Sequence, residues 1–264
     1  MTKFSLGKAS SLLAAVLLSI SFVSASATNA THEEPNFSVK SLDSQQLVVV
    51  LTPDESSISG QLMTFSLDDT YQWQQETITA DIVVGRTGIA WGIGLHPQQL
   101  GPQKQEGDGK APAGVFALGD AFGYLSALNT QLNYTPMTAN DYCIDVVASP
   151  RYNEIVSTSE VPAATIKQSS EPMRRDIHKQ ENLYKKGIVV HHNPNNIAPN
   201  GSCIFIHIWR SADKPTAGCT AMTEANIDQL LAWLSKDKKP LFVTLTRQDY
   251  QRLQQEWQLP NIEL

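Results

Sequence analysis

A thiol and an imidazole lie close together in Gly201-Ser-Cys-Ile-Phe-Ile-His-Ile-Trp-Arg-Ser-Ala-Asp-Lys-Pro-Thr-Ala-Gly-Cys-Thr-Ala-Met222. His207 ends an apolar run, and Cys219 directly follows Gly218. A thiol becomes a strong nucleophile when a neighbouring base takes its proton, and histidine does this near neutral pH. If the two side chains meet, the chemistry is acyl transfer through a thioester. Against this, a lone cysteine more often packs as a small hydrophobe, and a strand-end histidine is often a satisfied core residue. The context favours chemistry. Ser211 to Ala217 is long enough to fold back and bring the thiol to the ring. Gly218 allows a sharp turn and an open approach to sulfur. The amides of Ala217, Gly218 and Cys219 are candidate oxyanion donors. Thr223 is a natural N-cap for a helix over Glu224 to Leu234, with Ile227, Leu230, Leu231 and Leu234 at helical spacing. The positive end of that helix would favour a thiolate.

The other histidines compete less well. His32 falls in a polar leader and His178 in a polar stretch, and His96 lies in a glycine-dense segment. His192-Asn193 follows an apolar run and could line a pocket. His191, His192, His207 and Cys219 could supply soft metal ligands. Adjacent histidines on a strand point to opposite faces, however, and there is no His-Glu-x-x-His pattern. No metal and no organic cofactor is expected.

The elements around the pair are mostly strands. Gln46-Leu-Val-Val-Val-Leu-Thr52 reads as a buried strand, Ser59-Gly60 as a turn, and Gln61 to Leu67 as its hairpin partner. Trp73, the run Ile82-Val-Val84, Ile188-Val-Val190, Cys203 to Ile208 and Leu241 to Leu245 give further strands. Asp108-Gly109 makes a turn feeding a strand that ends near Leu118; the Gly-Lys-Ser/Thr ending of a phosphate loop is absent. Arg151 to Gln180 is polar and reads as a long surface excursion. Gln248 to Gln258 reads as a terminal helix with Tyr250, Leu253 and Trp257 on one face. No βαβ alternation and no repeat appears. The expectation is one mainly β, mixed α+β domain over 45–264.

The start of the chain speaks to compartment. Lys3 and Lys8 precede the small, apolar stretch Ser10 to Val23, and Ala25-Ser-Ala27 offers a cleavage site. Residues 1–27 read as a signal peptide and 28–44 as a loose leader. The apolar run is short for a membrane span, and no cysteine near the cleavage point suggests a lipid anchor. No later stretch reads as a span. The expected location is exported, periplasmic or cell-envelope. Loss of Lys3 and Lys8 takes 20 basic residues to 18 against 26 acidic, a net charge of −8. That argues against nucleic acid or an anionic membrane as partner. Three cysteines leave two options open: Cys143 paired with Cys203 while Cys219 stays free, or three free thiols.

The blocks together resemble the exported L,D-transpeptidases, the YkuD-type catalytic domain of bacterial cell-wall enzymes. Ile206-His207 followed by Thr216-Ala-Gly-Cys219 matches the catalytic signature. Gly107-Asp-Gly-Lys-Ala-Pro-Ala-Gly-Val-Phe116, Ser149-Pro-Arg-Tyr-Asn153 and Tyr184 to Asn193 match further blocks. The resemblance covers roughly residues 45 to 250. It implies a β-sandwich or mixed-sheet catalytic domain with the nucleophile in a turn before a helix. It implies peptidoglycan stem peptides as partners, with His192, Asn193, Thr216, Tyr152 and Lys110 on the substrate side. The chain departs from the common form. Ala217 and Ala221 stand where the family usually has histidine and arginine, the loop from His207 to Cys219 is shorter, and Ser169 to Tyr184 is an insertion absent from compact members.

The implied mechanism has Cys219 attack the carbonyl between meso-diaminopimelate and D-alanine. His207 acts as base and then as acid toward the leaving amine, with its ring oriented by a backbone carbonyl. An amine from another stem, or water, resolves the thioester. Three other readings stand beside this one: an L,D-carboxypeptidase or amidase using water, a zinc peptidase, and a non-catalytic wall-binding protein.

Overall fold

The computed structural model describes residues 1–3 and 37–263, and the chain from Asn36 onward forms one compact unit. The expected signal peptide, beyond its first three residues, and most of the expected leader lie outside the described residues. The leader's end departs from expectation. Residues 37–44 are packed rather than loose: Val39 is fully buried, its amide donates to the Trp257 carbonyl, and Phe37 meets the Trp257 ring edge-on.

The main sheet is built from β1 (Gln46–Thr52), β2 (Ser59–Leu67), β3 (Trp73–Val83), β4 (Ile89–Trp91), β5 (Ala111–Gly123) and β6 (Tyr134–Pro136), then β10 (Lys186–Val190), β11 (Phe205–Ile208), β12 (Thr220–Met222) and β13 (Leu241–Thr246). Its order is β10-β11-β12-β3-β2-β1-β13-β5, and β5 pairs again with β10. The sheet therefore closes into a barrel, which with a second, three-stranded sheet makes the mainly β, mixed α+β domain expected. The thirteen-residue β5 makes closure possible, pairing antiparallel with β13 over Gly114 to Ala117 and with β10 from Leu118 to Gly123. Every residue of β1 is buried, as its unbroken apolar run requires.

Turn positions were less legible. Gly60 lies inside β2, at a position where a side chain would collide with the Leu51 carbonyl across the β1–β2 ladder. The reversal falls earlier, where Asp54 accepts from the Ser56 amide. Trp73 and Ile82 belong to one strand.

Two helices pack on this framework. In α3 (Glu224–Trp233), the Thr223 hydroxyl accepts from the Asn226 amide, and Ile227, Leu230 and Leu231 are buried. The buried Gln46 amide bonds the Trp233 carbonyl and the Ser235 amide, tying β1 to the end of this helix. The terminal helix α4 (Arg247–Leu253) is shorter than its apolar pattern suggested, though Tyr250, Leu253 and Trp257 are all buried.

The polar stretch 151–180 is structured. β7 (Asp141–Cys143) pairs with β8 (Ile155–Ser157) and β9 (Glu171–Pro172), accompanied by α1 (Ala163–Ile166) and α2 (Arg175–Lys179). Ile144, Val156 and Ile166 form a small core of their own. Elements of two to five residues leave no periodic signal. A Cys143–Cys203 disulfide fastens this sheet to the lead-in of β11, and Cys219 is free. Replacing both Cys143 and Cys203 by alanine should lower unfolding free energy by about 2–4 kcal/mol, from lost loop closure. Non-reducing urea melts measure this, and an unchanged midpoint would contradict the fastening role.

Candidate active site

β11 and β12 run parallel, with Ile206 opposite Thr220 and His207 opposite Ala221. Cys219, one residue before β12, therefore lies beside Phe205. Side chains alternate along strands, so Phe205, His207 and Cys219 share one face, and the histidine is diagonal to the cysteine. The loop from Trp209 to Gly218 makes the return that parallel pairing demands. It folds over to wall a cleft of about 370 Å³ lined by both Cys219 and His207.

The sulfur sits where two backbone groups address it. The Phe205 amide donates to Sγ at 3.4 Å, and the thiol points at the Cys203 carbonyl at 3.5 Å. Cys219 is 7 % exposed. Burial pushes its pKa up to about 12, with the nearby Glu171 carboxylate adding to the rise, so the resting group is a thiol. The helix-dipole expectation needs correction here. β12 separates Cys219 from the start of α3, and a helix terminus loses influence beyond its first turn. The donor at sulfur is the Phe205 amide instead.

His207 is held from two sides. Its Nδ1 lies 2.8 Å from the Ile208 carbonyl, which can only accept, so Nδ1 carries the proton and Nε2 is the free base. Its ring meets Tyr184 edge to face, with centroids 5.1 Å apart. Burial lowers its pKa to about 4 and Arg175 and Arg210 add to the fall, while the hydrogen bond to Ile208 and the Glu181 carboxylate oppose it. Burial thus works against the charged form of both groups.

The nucleophile turn is set by Thr216. Its hydroxyl donates to the Cys219 carbonyl at 2.6 Å and accepts from the Gly218 amide at 3.1 Å. Thr216 lines the cleft, but its hydroxyl is committed to this turn. So is the Gly218 amide, which leaves Ala217 and Cys219 from the expected oxyanion set. Gly218 is required by close approach, since a Cβ there would lie 2.9 Å from the Lys110 carbonyl. Lys110 contributes that contact while its ammonium bonds the Thr87 carbonyl, away from the cleft lining.

Three further expectations are corrected. His192 is buried, with Nε2 on the Asn200 carbonyl and its ring edge against Phe116. Asn193 is fully buried and bonds Ile197 and Gly201, closing the loop after β10. Both brace that loop and neither lines the cleft. Tyr152 is buried as well, donating to Glu106. It acts on the cleft only through that carboxylate, which also accepts from Ser202. The residues that do line the cleft include several the sequence did not single out: Arg86, Lys104, Glu106, Asp145, Glu171, Arg175 and Arg210. Asp145, Glu171 and Arg175 among them fall outside the matching sequence blocks. Among the described residues, no cluster of three or more His, Cys, Asp or Glu side chains is placed to hold a metal.

The fold brings one free thiol and one imidazole to the lining of a single cleft. A family model for the L,D-transpeptidase catalytic domain, YkuD, matches residues 56–243. The chain belongs to that family. No curated protein and no solved structure matches the chain. Among the described residues no helix is long and apolar enough to cross a membrane.

Two outcomes follow from these contacts. Thr216→Val removes both bonds of the nucleophile turn and should destabilise the fold by about 1–3 kcal/mol, with Thr216→Ser restoring it; denaturant melts of the three proteins decide. His207 and His192 both have pKa values lowered by burial to about 4, against 6.5 for an ordinary histidine. Between those values the unfolded chain binds more protons, so stability should fall as pH drops from about 6.5 toward 4. Urea midpoints across that window test the sign, and stability rising on acidification would refute it.

Proposed function

We propose that the chain is a cysteine-dependent peptidoglycan L,D-transpeptidase working through a thioester acyl-enzyme, exported to the periplasm or cell envelope. The observation that carries this reading is one free thiol just before β12 and one imidazole with an unprotonated Nε2 on the adjacent parallel strand β11, both lining the same cleft.

The site's own residues suggest the sequence of proton moves. Nε2 of His207 takes the Cys219 proton as Sγ attacks the carbonyl before the terminal D-alanine of a stem peptide. The Phe205 amide steadies charge on sulfur, and the Cys219 and Ala217 amides are the candidates for the oxygen. The imidazolium then protonates the leaving D-alanine amine. An incoming amine attacks the thioester carbonyl and gives its proton to the same nitrogen, which returns it to Sγ as the C–S bond breaks. The ring need not move, because Ile208 holds Nδ1 throughout.

Charge in the cleft supports an anionic substrate. Arg86 and Lys179 line it with no carboxylate within ion-pair distance among the described residues, on a chain of net charge −6. Stem peptides end in carboxylates. Electrostatic focusing of this kind raises association with substrates of opposite sign.

Incubation with purified muropeptides, followed by mass analysis, tests the reading. Release of D-alanine with crosslinked dimers is the expected result, and Cys219→Ser should abolish it while leaving the melting temperature close to wild type. D-alanine release without dimers would move the activity to an L,D-carboxypeptidase. Saturable binding to sacculi with no product, unchanged in Cys219→Ser, would make it a wall-binding protein.

A further inference from the structure

Arg175 opens α2 and is only 8 % exposed despite its charge. Two carboxylates hold it. Nη1 bonds Glu171 at 2.6 Å, while Nε and Nη2 bond Glu181 at 3.0 and 2.5 Å. All three of its nitrogens are engaged, so it is poorly placed to serve as a receptor for a substrate carboxylate. Its Cζ lies 5.3 Å from the centre of the Tyr184 ring. The other face of this arrangement is His207, since the Tyr184 ring packs against the imidazole.

The same segment grips the strand that carries His207 at two more points. The Ile208 amide donates to the Leu183 carbonyl at 3.1 Å. Glu181 also takes Arg210, just beyond β11, at 3.0 and 2.6 Å. Glu181 is thus shared between the arginine that stacks on Tyr184 and the arginine that follows the histidine strand. A buried charge is retained at a desolvation cost, and such networks fix geometry more reliably than they add stability.

We infer that Arg175 is a positioning residue: bridged to Glu171 and Glu181, it holds Tyr184 against His207 and so fixes the ring that receives the Cys219 proton. The inserted segment is then part of the catalytic apparatus, acting without touching substrate. Proton transfer depends steeply on such alignment, because small misplacements of a catalytic group lower rate by large factors. The inference rests on the Cys219–His207 pair of the proposed function, but not on the identity of the acyl donor.

Alkylation of Cys219 by iodoacetamide at pH 7 tests it without any cell-wall substrate. Sulfur displaces iodide, and the thiol proton passes to His207. Arg175→Lys and Glu181→Gln are compared alone and in a His207→Ala background. Glu181 is partly exposed, so its variant guards against a folding defect at Arg175. Each single change should slow alkylation about tenfold, within the coupling range of contacting residues, and should have no further effect once His207 is gone. Wild-type rates in both single variants, or the same slowing in the His207→Ala background, would overturn the positioning role. Failure of the muropeptide assay alone would leave these rates, and the inference, intact.

Discussion

The site depends on two short strands running in the same direction. Antiparallel strands can be joined by a tight turn, but β11 and β12 are parallel, so the chain must leave at Ile208 and return near Cys219. The return places the residue before β12 beside Phe205, two positions from His207 on the same face. It also builds the cleft wall from the connecting loop. Thiol, imidazole and groove come together through one pairing choice, which the barrel's closure through β5 and β10 holds in place.

Burial then sets the proton distribution. Removing both groups from water disfavours thiolate and imidazolium alike, which raises one pKa and lowers the other. In the proposed reaction such a neutral pair is activated when substrate arrives. The groups that ease activation are already present: the Phe205 amide at sulfur, the Ile208 carbonyl at Nδ1, and positive charge from Arg175 and Lys104 acting on the thiol. Glu171 opposes them, and its own carboxyl is raised by burial despite Arg175 beside it. The Cys143–Cys203 bridge keeps the neighbouring sulfurs out of this chemistry.

The sequence made the thiol–imidazole pairing and the main strands legible because both leave local marks. A thiol after glycine, a histidine ending an apolar run, and the Thr223 cap before α3 each carry their reason within a few residues. The site's walls do not. Glu171, Arg175 and Glu181 lie in a stretch that reads as polar surface, since only the fold shows that they converge on Tyr184. His192, Asn193 and Tyr152 were misplaced for the opposite reason. They are polar residues near an apolar strand or in a matching block, and this pattern fits a braced loop as well as a groove. The helix-dipole expectation failed through three intervening residues, Thr220 to Met222, whose apolar character fits a strand as readily as a turn.

Intact-protein mass spectrometry after brief exposure to a tetrapeptide stem, quenched in acid, tests the central claim most directly. The account predicts a mass increase equal to the stem peptide without its terminal D-alanine, mapped to the peptide containing Cys219 and absent from Cys219→Ser. Turnover of the stem with no adduct in His207→Ala or wild type, or an adduct on any other residue, would contradict it.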